Sequence, residues 1–188
     1  MRNLSPLPLF IRPPRCAGRG ARMGLFAALI LCAAMPARAD NELPPALQAT
    51  IFKKVLGYDK TLGSGAAKVL VLAGSGDAEA AAAVVKAFQD VGLGASQSDP
   101  SRLDRELAAI KVVYLFPSSA TGAVRASCAR SGALTLAGDT QLVEDGKVAI
   151  ALGRHDDGRP AIVINRNELH AQGHEISSDL LRLARIVQ

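Results

Sequence analysis

Three unbroken apolar runs of strand length mark out the chain: residues 68–73 (KVLVLA), 111–116 (KVVYLF) and 133–137 (ALTLA). A run without polar alternation reads as a strand covered on both faces, as in a parallel sheet. The segments between them carry helical spacing. Residues 78–91 are Ala-rich, with Val84, Val85 and Phe88 on one side and Asp77 placed as N-cap. After a weak strand at 93–98, Asp99-Pro100 supplies an N-cap and a first helical residue for a helix to about residue 109. Pro117-Ser118-Ser119 leads into another helix, to about Arg130. Ahead of the first strand, Leu47, Ile51 and Val55 with Phe52 and Leu56 recur at three- and four-residue spacing and predict a helix ending near Gly57.

The end of the chain changes pattern. Two strand-like runs, 147–154 and 159–165, flank His155-Asp156-Asp157-Gly158, and Asp-Gly is a hairpin turn signal. Asn165 followed by Glu168 starts a helix. Gly173 interrupts it, and Ser177 or Ser178 caps a last helix bearing Leu180, Leu181, Leu183, Ala184 and Val187. Those apolar residues exceed one narrow stripe, so this helix is expected to be covered by the fold or by a second subunit. Together the elements predict an α/β fold: a single domain with a mainly parallel sheet flanked by helices, a C-terminal β-hairpin and terminal helices.

Charge matters only once the beginning of the chain is set aside. Residues 1–39 hold six Arg, no Lys and no acid, and within them residues 24–35 form a 12-residue apolar run followed by Pro36-Ala37-Arg38-Ala39. A basic region, a short apolar stretch and small residues at Ala37 and Ala39 describe a secretory signal peptide over 1–39. The run is too short to span a bilayer, which takes roughly 20 residues. Leu31 before Cys32 argues against a lipid attachment site. Removing the six Arg from the 22 Lys and Arg leaves 16 basic against 17 acidic side chains in 40–188, a net charge of −1. No basic face then remains for a nucleic acid. Cys16 and Cys32 leave with the leader, so Cys128 has no intramolecular partner and reads as a small buried hydrophobe.

The candidate chemistry is thin. Gly74-Ser75-Gly76 after a buried strand resembles the start of a dinucleotide fingerprint, with Asp99 near the ribose position, but Glu79 stands where the third glycine belongs. His170 and His174 lie four residues apart beside Glu175, yet Gly173 separates them, and surface polarity at a helix end is the plainer reading. No Gly-x-Ser-x-Gly elbow and no Walker motif occur. The sequence therefore predicts no enzyme, cofactor or metal. In an open parallel sheet, ligands and partners meet the carboxyl ends of the strands. The loops after the first and third strands, Gly74, Ser75, Gly76 and Asp77 with Pro117, Ser118 and Ser119, make the candidate rim.

The last stretch is the most specific. Pro160-Ala161-Ile162-Val163-Ile164-Asn165, then Glu168 to Ser178 (ELHAQGHEISS), then Leu180-Leu181-Arg182-Leu183-Ala184-Arg185-Ile186-Val187 resembles the close of the YfiR family of exported proteins. Residues 51–62 (IFKKVLGYDKTL) with 68–72, and 133–139 (ALTLAGD) with 146–150, are similar to its first and central parts. The resemblance covers about residues 47–187. It implies a periplasmic, dimeric regulator that binds the sensor region of a membrane-bound diguanylate cyclase and restrains cyclic-di-GMP output; other branches imply a sensor kinase. The family's Cys pairs are absent, and Tyr58-Asp59-Lys60 replaces a Trp-Pro that often follows its first helix. The alternative is a periplasmic small-molecule binding domain of the solute-receptor type.

The domain boundaries follow as 1–39 for the signal peptide and 40–188 for one α/β domain. Mass spectrometry of the exported protein is expected to find Asp40 at the N-terminus. A membrane-retained product still carrying residues 24–35 is the contrary result.

Overall fold

The structure, a computed structural model, describes residues 42–63 and 68–188, so the expected leader and its expected cleavage point lie outside the described residues. Helix α1 (Pro45–Leu56) comes first, with Pro45 in the first turn, where an N–H would have no helical partner. There follow β1 (Lys68–Leu72), α2 (Ala78–Asp90) and β2 (Gly94–Ser98). A 3₁₀ turn (Pro100–Arg102) then runs into α3 (Leu103–Glu106). Next come β3 (Val112–Leu115), α4 (Gly122–Ser131), β4 (Leu134–Ala137) and the short α5 (Gln141–Glu144). The chain closes with β5 (Ile150–Arg154), β6 (Pro160–Asn165), α6 (Arg166–Ala171), α7 (Ser178–Leu181) and β7 (Arg185–Val187).

Among the described residues, one seven-stranded sheet runs in the order β2-β1-β3-β4-β5-β6-β7. Strands β2 to β5 are mutually parallel, β6 turns back antiparallel to β5, and β7 is parallel to β6. The chain reverses direction across the sheet between β1 and β3, the arrangement of a doubly wound fold. The β5–β6 hairpin turns at the predicted place: Gly158 N–H donates to the His155 carbonyl at 2.8 Å, and Gly158 takes φ 82°.

Pleating sorts the strands onto two cores. Val69, Val71, Val112, Tyr114, Leu134, Leu136, Ile150, Leu152 and Ile164 face α1, α2 and the apolar side chains of the C-terminal segment. Leu70, Leu72, Val113, Leu115, Ala137, Ala151 and Val163 face the side chains of α3, α4 and α5, including Val124, Cys128 and Leu142. Burial on both faces is why β1 and β3 read as unbroken apolar runs. Cys128 is fully buried, and burial pushes its thiol pKa up to about 12, which suits packing and not nucleophilic chemistry.

The predicted last helix is corrected. Helix α7 makes one turn and stops with Arg182 as C-cap, and residues 185–187 join the sheet beside β6. Ile186 and Val187 are β-branched, and the outer edge of β6 offers their backbone a ladder that continued helix would forgo. Leu180 is buried in the first core, against which Leu181 and Ala184 pack; Val187 packs against the second. Leu183 is 73% exposed and contributes to neither core. The helix expected to run to residue 109 is also shorter, since α3 ends at Glu106.

These burial states separate two otherwise similar substitutions. Leu180→Ala is expected to lower stability by about 2–5 kcal/mol through loss of buried volume. Leu183→Ala should stay within about 0.5 kcal/mol of the parent. Urea unfolding midpoints check both, and equal losses would contradict the assignment.

Candidate functional site

At the carboxyl edge of the sheet, the loops after β1 and β3 touch. Gly74 N–H donates to Ser118 Oγ at 3.0 Å, and Ser118 Oγ in turn donates to the Asp77 carboxylate. A Cβ on Gly74 would lie 2.7 Å from Ser118 Oγ, so the approach depends on glycine. Ser119 is buried, and its hydroxyl donates to the Leu72 carbonyl at 2.7 Å, tying the β3 loop to the end of β1.

The predicted rim residues are thus brought together, but not as caps of their own helices. Asp77 makes no side-chain cap bond to α2; its carboxylate accepts from Ser118 Oγ across the two loops. Helix α4 is capped by Thr121, whose hydroxyl accepts from Val124 N–H at 3.3 Å, and not by Ser118 or Ser119. Ser75, Gly76, Pro117 and Ser118 face solvent, whereas Asp77 and Ser119 are buried.

Beside this rim lies a cavity of about 400 Å³, between the ends of β3 and β4, the first turn of α2 at Ala80 and the arm before α1 at Glu42. Tyr114, Phe116 and Pro117 form one side and Gly138, Asp139 and Thr140 another. The Tyr114 hydroxyl donates to Gln48 Oε1 at 2.9 Å, and Tyr114 meets the Phe116 ring at 5.4 Å, tilted edge to face. A Cβ on Gly138 would lie 2.5 Å from the Tyr114 oxygen and 2.8 Å from the Gln48 amide, so the floor is closely packed. Burial raises the Tyr114 pKa, and the carboxylates of Glu42 and Asp139 raise it further. Asp139 Oδ1 accepts from Gln141 N–H at 2.9 Å, which fixes the turn after β4. Sequence reading did not single out this cavity, because its walls come from four separated segments.

The amino edge of the sheet holds a second polar constellation. His174 is buried, contrary to the surface reading, and its Nδ1 lies 2.7 Å from Asp59 Oδ2, with Nε2 3.3 Å from the Gly132 carbonyl. The other Asp59 oxygen accepts from Thr61 and Leu62 N–H groups at 2.7 and 3.3 Å. Around this pair, Lys60 N–H donates to the Glu175 carbonyl at 2.9 Å and Ser177 N–H to the Tyr58 carbonyl at 3.0 Å. Residues 58–61 are thereby clamped to residues 174–177. His170 is exposed on α6, apart from this pair, and among the described residues no three His, Cys, Asp or Glu side chains are grouped to hold a metal.

A doubly wound α/β domain with its concavity at the carboxyl edge of the sheet is the class these features define. Within it, the chain belongs to the YfiR/HmsC-like family, whose profile matches residues 46–185. No curated protein matches the sequence. Among solved structures, the fold is similar to an ABC domain from Streptococcus pneumonia in complex with L-Trp, with TM-score 0.56 and 13% identity over 77% of this chain. It is also similar to a conserved domain protein from Vibrio cholerae O1 biovar El Tor, with TM-score 0.58 and 14% identity over 77% of this chain. The match spans 60% of the length of each of those chains. Among the described residues, no helix is long and apolar enough to cross a membrane.

The Asp59–His174 pair sets a measurable acid dependence. Burial works against the charged carboxylate, but hydrogen bonds from His174, Thr61 and Leu62 outweigh it and hold the Asp59 pKa below its ordinary 3.8. A carboxyl depressed in the folded state stabilises the protein above its unfolded value, and that contribution is lost as pH falls through the folded value. Urea unfolding between pH 7 and 2 is expected to show a fall in stability below about pH 4 that Asp59→Asn lacks. At neutral pH, His174→Ala should cost about 3–5 kcal/mol, since it leaves a buried carboxylate without its partner. An unchanged acid limb in Asp59→Asn would contradict this account.

Proposed function

We propose that residues 40–188, freed of residues 1–39 on export, act as a non-enzymatic periplasmic regulator. The regulator binds the sensor region of a membrane-bound signalling protein, foremost a diguanylate cyclase controlling cyclic-di-GMP, with a sensor kinase as the other candidate. The observation that carries this reading is the family match over residues 46–185, nearly the whole of the proposed mature domain. The net charge of −1 on residues 40–188 supports a protein partner over a nucleic acid.

Two surfaces suit contact with the partner or with a second copy of the chain. One is the rim of Ser75, Gly76, Pro117 and Ser118. The other is the C-terminal segment, where Leu183 and Ile186 expose apolar surface at the sheet edge.

A second reading rests on the cavity at the carboxyl edge and on a similar fold crystallised with L-Trp: a small-molecule binding domain of the solute-receptor type. The two readings are compatible if a ligand governs partner binding.

Bacterial two-hybrid pairing with the periplasmic region of a diguanylate cyclase encoded beside this protein tests the first reading. Association is expected, together with a rise in cellular cyclic-di-GMP when the protein is deleted. Ser75→Gln is expected to weaken the association if the rim is the contact, and Leu183→Asp if the C-terminal segment is. Absence of association with unchanged cyclic-di-GMP would remove the regulator reading.

A further inference from the structure

We infer that the end of the domain at the amino edge of the sheet docks on an anionic lipid surface, through lysines that the fold gathers there. This goes beyond both readings above and rests on neither. A net charge of −1 on residues 40–188 conceals where the charges lie. Of the seven lysines in the chain, Lys60, Lys86 and Lys147 pair with Glu175, Asp90 and Asp145 at 2.5, 2.7 and 2.9 Å. The other four, Lys53, Lys54, Lys68 and Lys111, are exposed and have no carboxylate partner among the described residues. Topology brings these four to one end. Lys68 opens β1 and Lys111 directly precedes β3; Val69 is in register with Val112, so the two lysines lie side by side. Lys53 and Lys54 are in the last turn of α1. Lys53 Nζ donates to the Val91 carbonyl at 2.6 Å, where α2 ends just ahead of β2. Strands β2, β1 and β3 are neighbours in the sheet.

Two of the ammonium groups also serve the fold. Lys53 holds the end of α2, and Lys111 Nζ donates to the Ser131 carbonyl at the end of α4 at 2.7 Å. A helix carboxyl end carries roughly half a negative charge, so α1, α2 and α4 leave four lysines net positive. Lysine ammonium groups are mobile point charges, suited to a diffuse layer of phosphates, whereas a single planar anion favours arginine. Tyr58, 40% exposed just beyond the C-cap of α1, adds an aromatic ring of the kind that settles at membrane interfaces. Its backbone is held, the carbonyl accepting from Ser177 N–H at 3.0 Å. The rim and the cavity lie at the opposite edge. A docked domain would hold them above the headgroups by at least one strand length, about 15 Å, and leave them open.

The test is sedimentation of the exported protein, its N-terminus checked by mass spectrometry, with vesicles of phosphatidylglycerol and phosphatidylethanolamine in equal parts, or of phosphatidylcholine alone. Retention on the anionic vesicles is expected at about 0.1 M salt, where the Debye length is about 10 Å, and its loss near 1 M. Lys54 and Lys68 make no hydrogen bond or ion pair among the described residues. Lys54→Gln and Lys68→Gln are each expected to weaken partitioning about fivefold while the melting temperature is kept. Arg154→Gln removes the same charge from the carboxyl edge, where Arg154 is exposed at the end of β5, and should change partitioning by about twofold at most. Equal losses for Arg154→Gln and the lysine variants overturn the assignment, as does equal retention on phosphatidylcholine or no retention on the anionic vesicles at low salt. Equally strong retention by double-stranded DNA, with the same lysine dependence, overturns it in favour of polyanions in general. Lysine variants that lose two-hybrid association with the cyclase, in a protein that ignores vesicles, give this end to the protein partner instead and leave the regulator reading standing.

Discussion

Among the described residues no strand precedes helix α1, yet the first core needs it as a cover. Its position depends on buried polar groups finding partners at both of its ends. At the upper end Gln48, 2% exposed, donates to the Leu43 carbonyl at 2.6 Å and accepts from Tyr114 at 2.9 Å. Beyond the lower end, Asp59 meets His174. Between the two, Phe52 packs against Phe88 and Tyr114 with ring centroids 6.2 and 6.1 Å apart. Release of either end would expose Val69, Val71 and Leu136 to water and strand a buried polar side chain, so the polar and apolar contacts are conditional on one another.

The parts of this fold that show in the sequence are those whose cause is local. Two-sided burial removes polar alternation from β1 and β3, and Asp157-Gly158 provides the turn between β5 and β6. Asn165 caps α6, its side chain accepting from Glu168 N–H at 3.0 Å. Residues 180–187 misled because Leu180, Leu181, Leu183, Ala184 and Val187 satisfy helical spacing. The ladder offered by β6 is invisible to any window on those residues. His174 and Asp59 are 115 residues apart, and nothing near either one announces a buried partner. Both do lie in the two segments that carry the family resemblance, IFKKVLGYDKTL and ELHAQGHEISS. The pairing gives those segments a physical reason to occur together.

The rim shows a different limit. Adjacency of the loops after β1 and β3 follows from strand order, and it is observed as the Gly74–Ser118–Asp77 chain of hydrogen bonds. Helix-capping preference assigned Asp77 to local duty. Tertiary contact with Ser118 took its carboxylate instead, and α4 is capped by Thr121. Short polar side chains at the end of a parallel strand thus have two competing uses. Sequence alone does not rank them, because the competitor lies on another strand.

The carboxyl edge differs mechanically from one side to the other. On the floor of the cavity there is no slack: Gly138, Tyr114 and Gln48 are so close that one added methyl on Gly138 would collide with both side chains. Well-packed interiors respond to such crowding by discrete shifts. The opposite wall is an arm whose Glu42 is exposed and whose Leu43 is tethered through a hydrogen bond from Gln48. A molecule entering the cavity would therefore meet a closely packed floor and an arm anchored by Leu43, which is buried in the first core. Displacement would be felt first at residues 42–44 and, through Gln48, at the start of α1. The Asp59–His174 pair beyond the far end of that helix resists its movement as a whole.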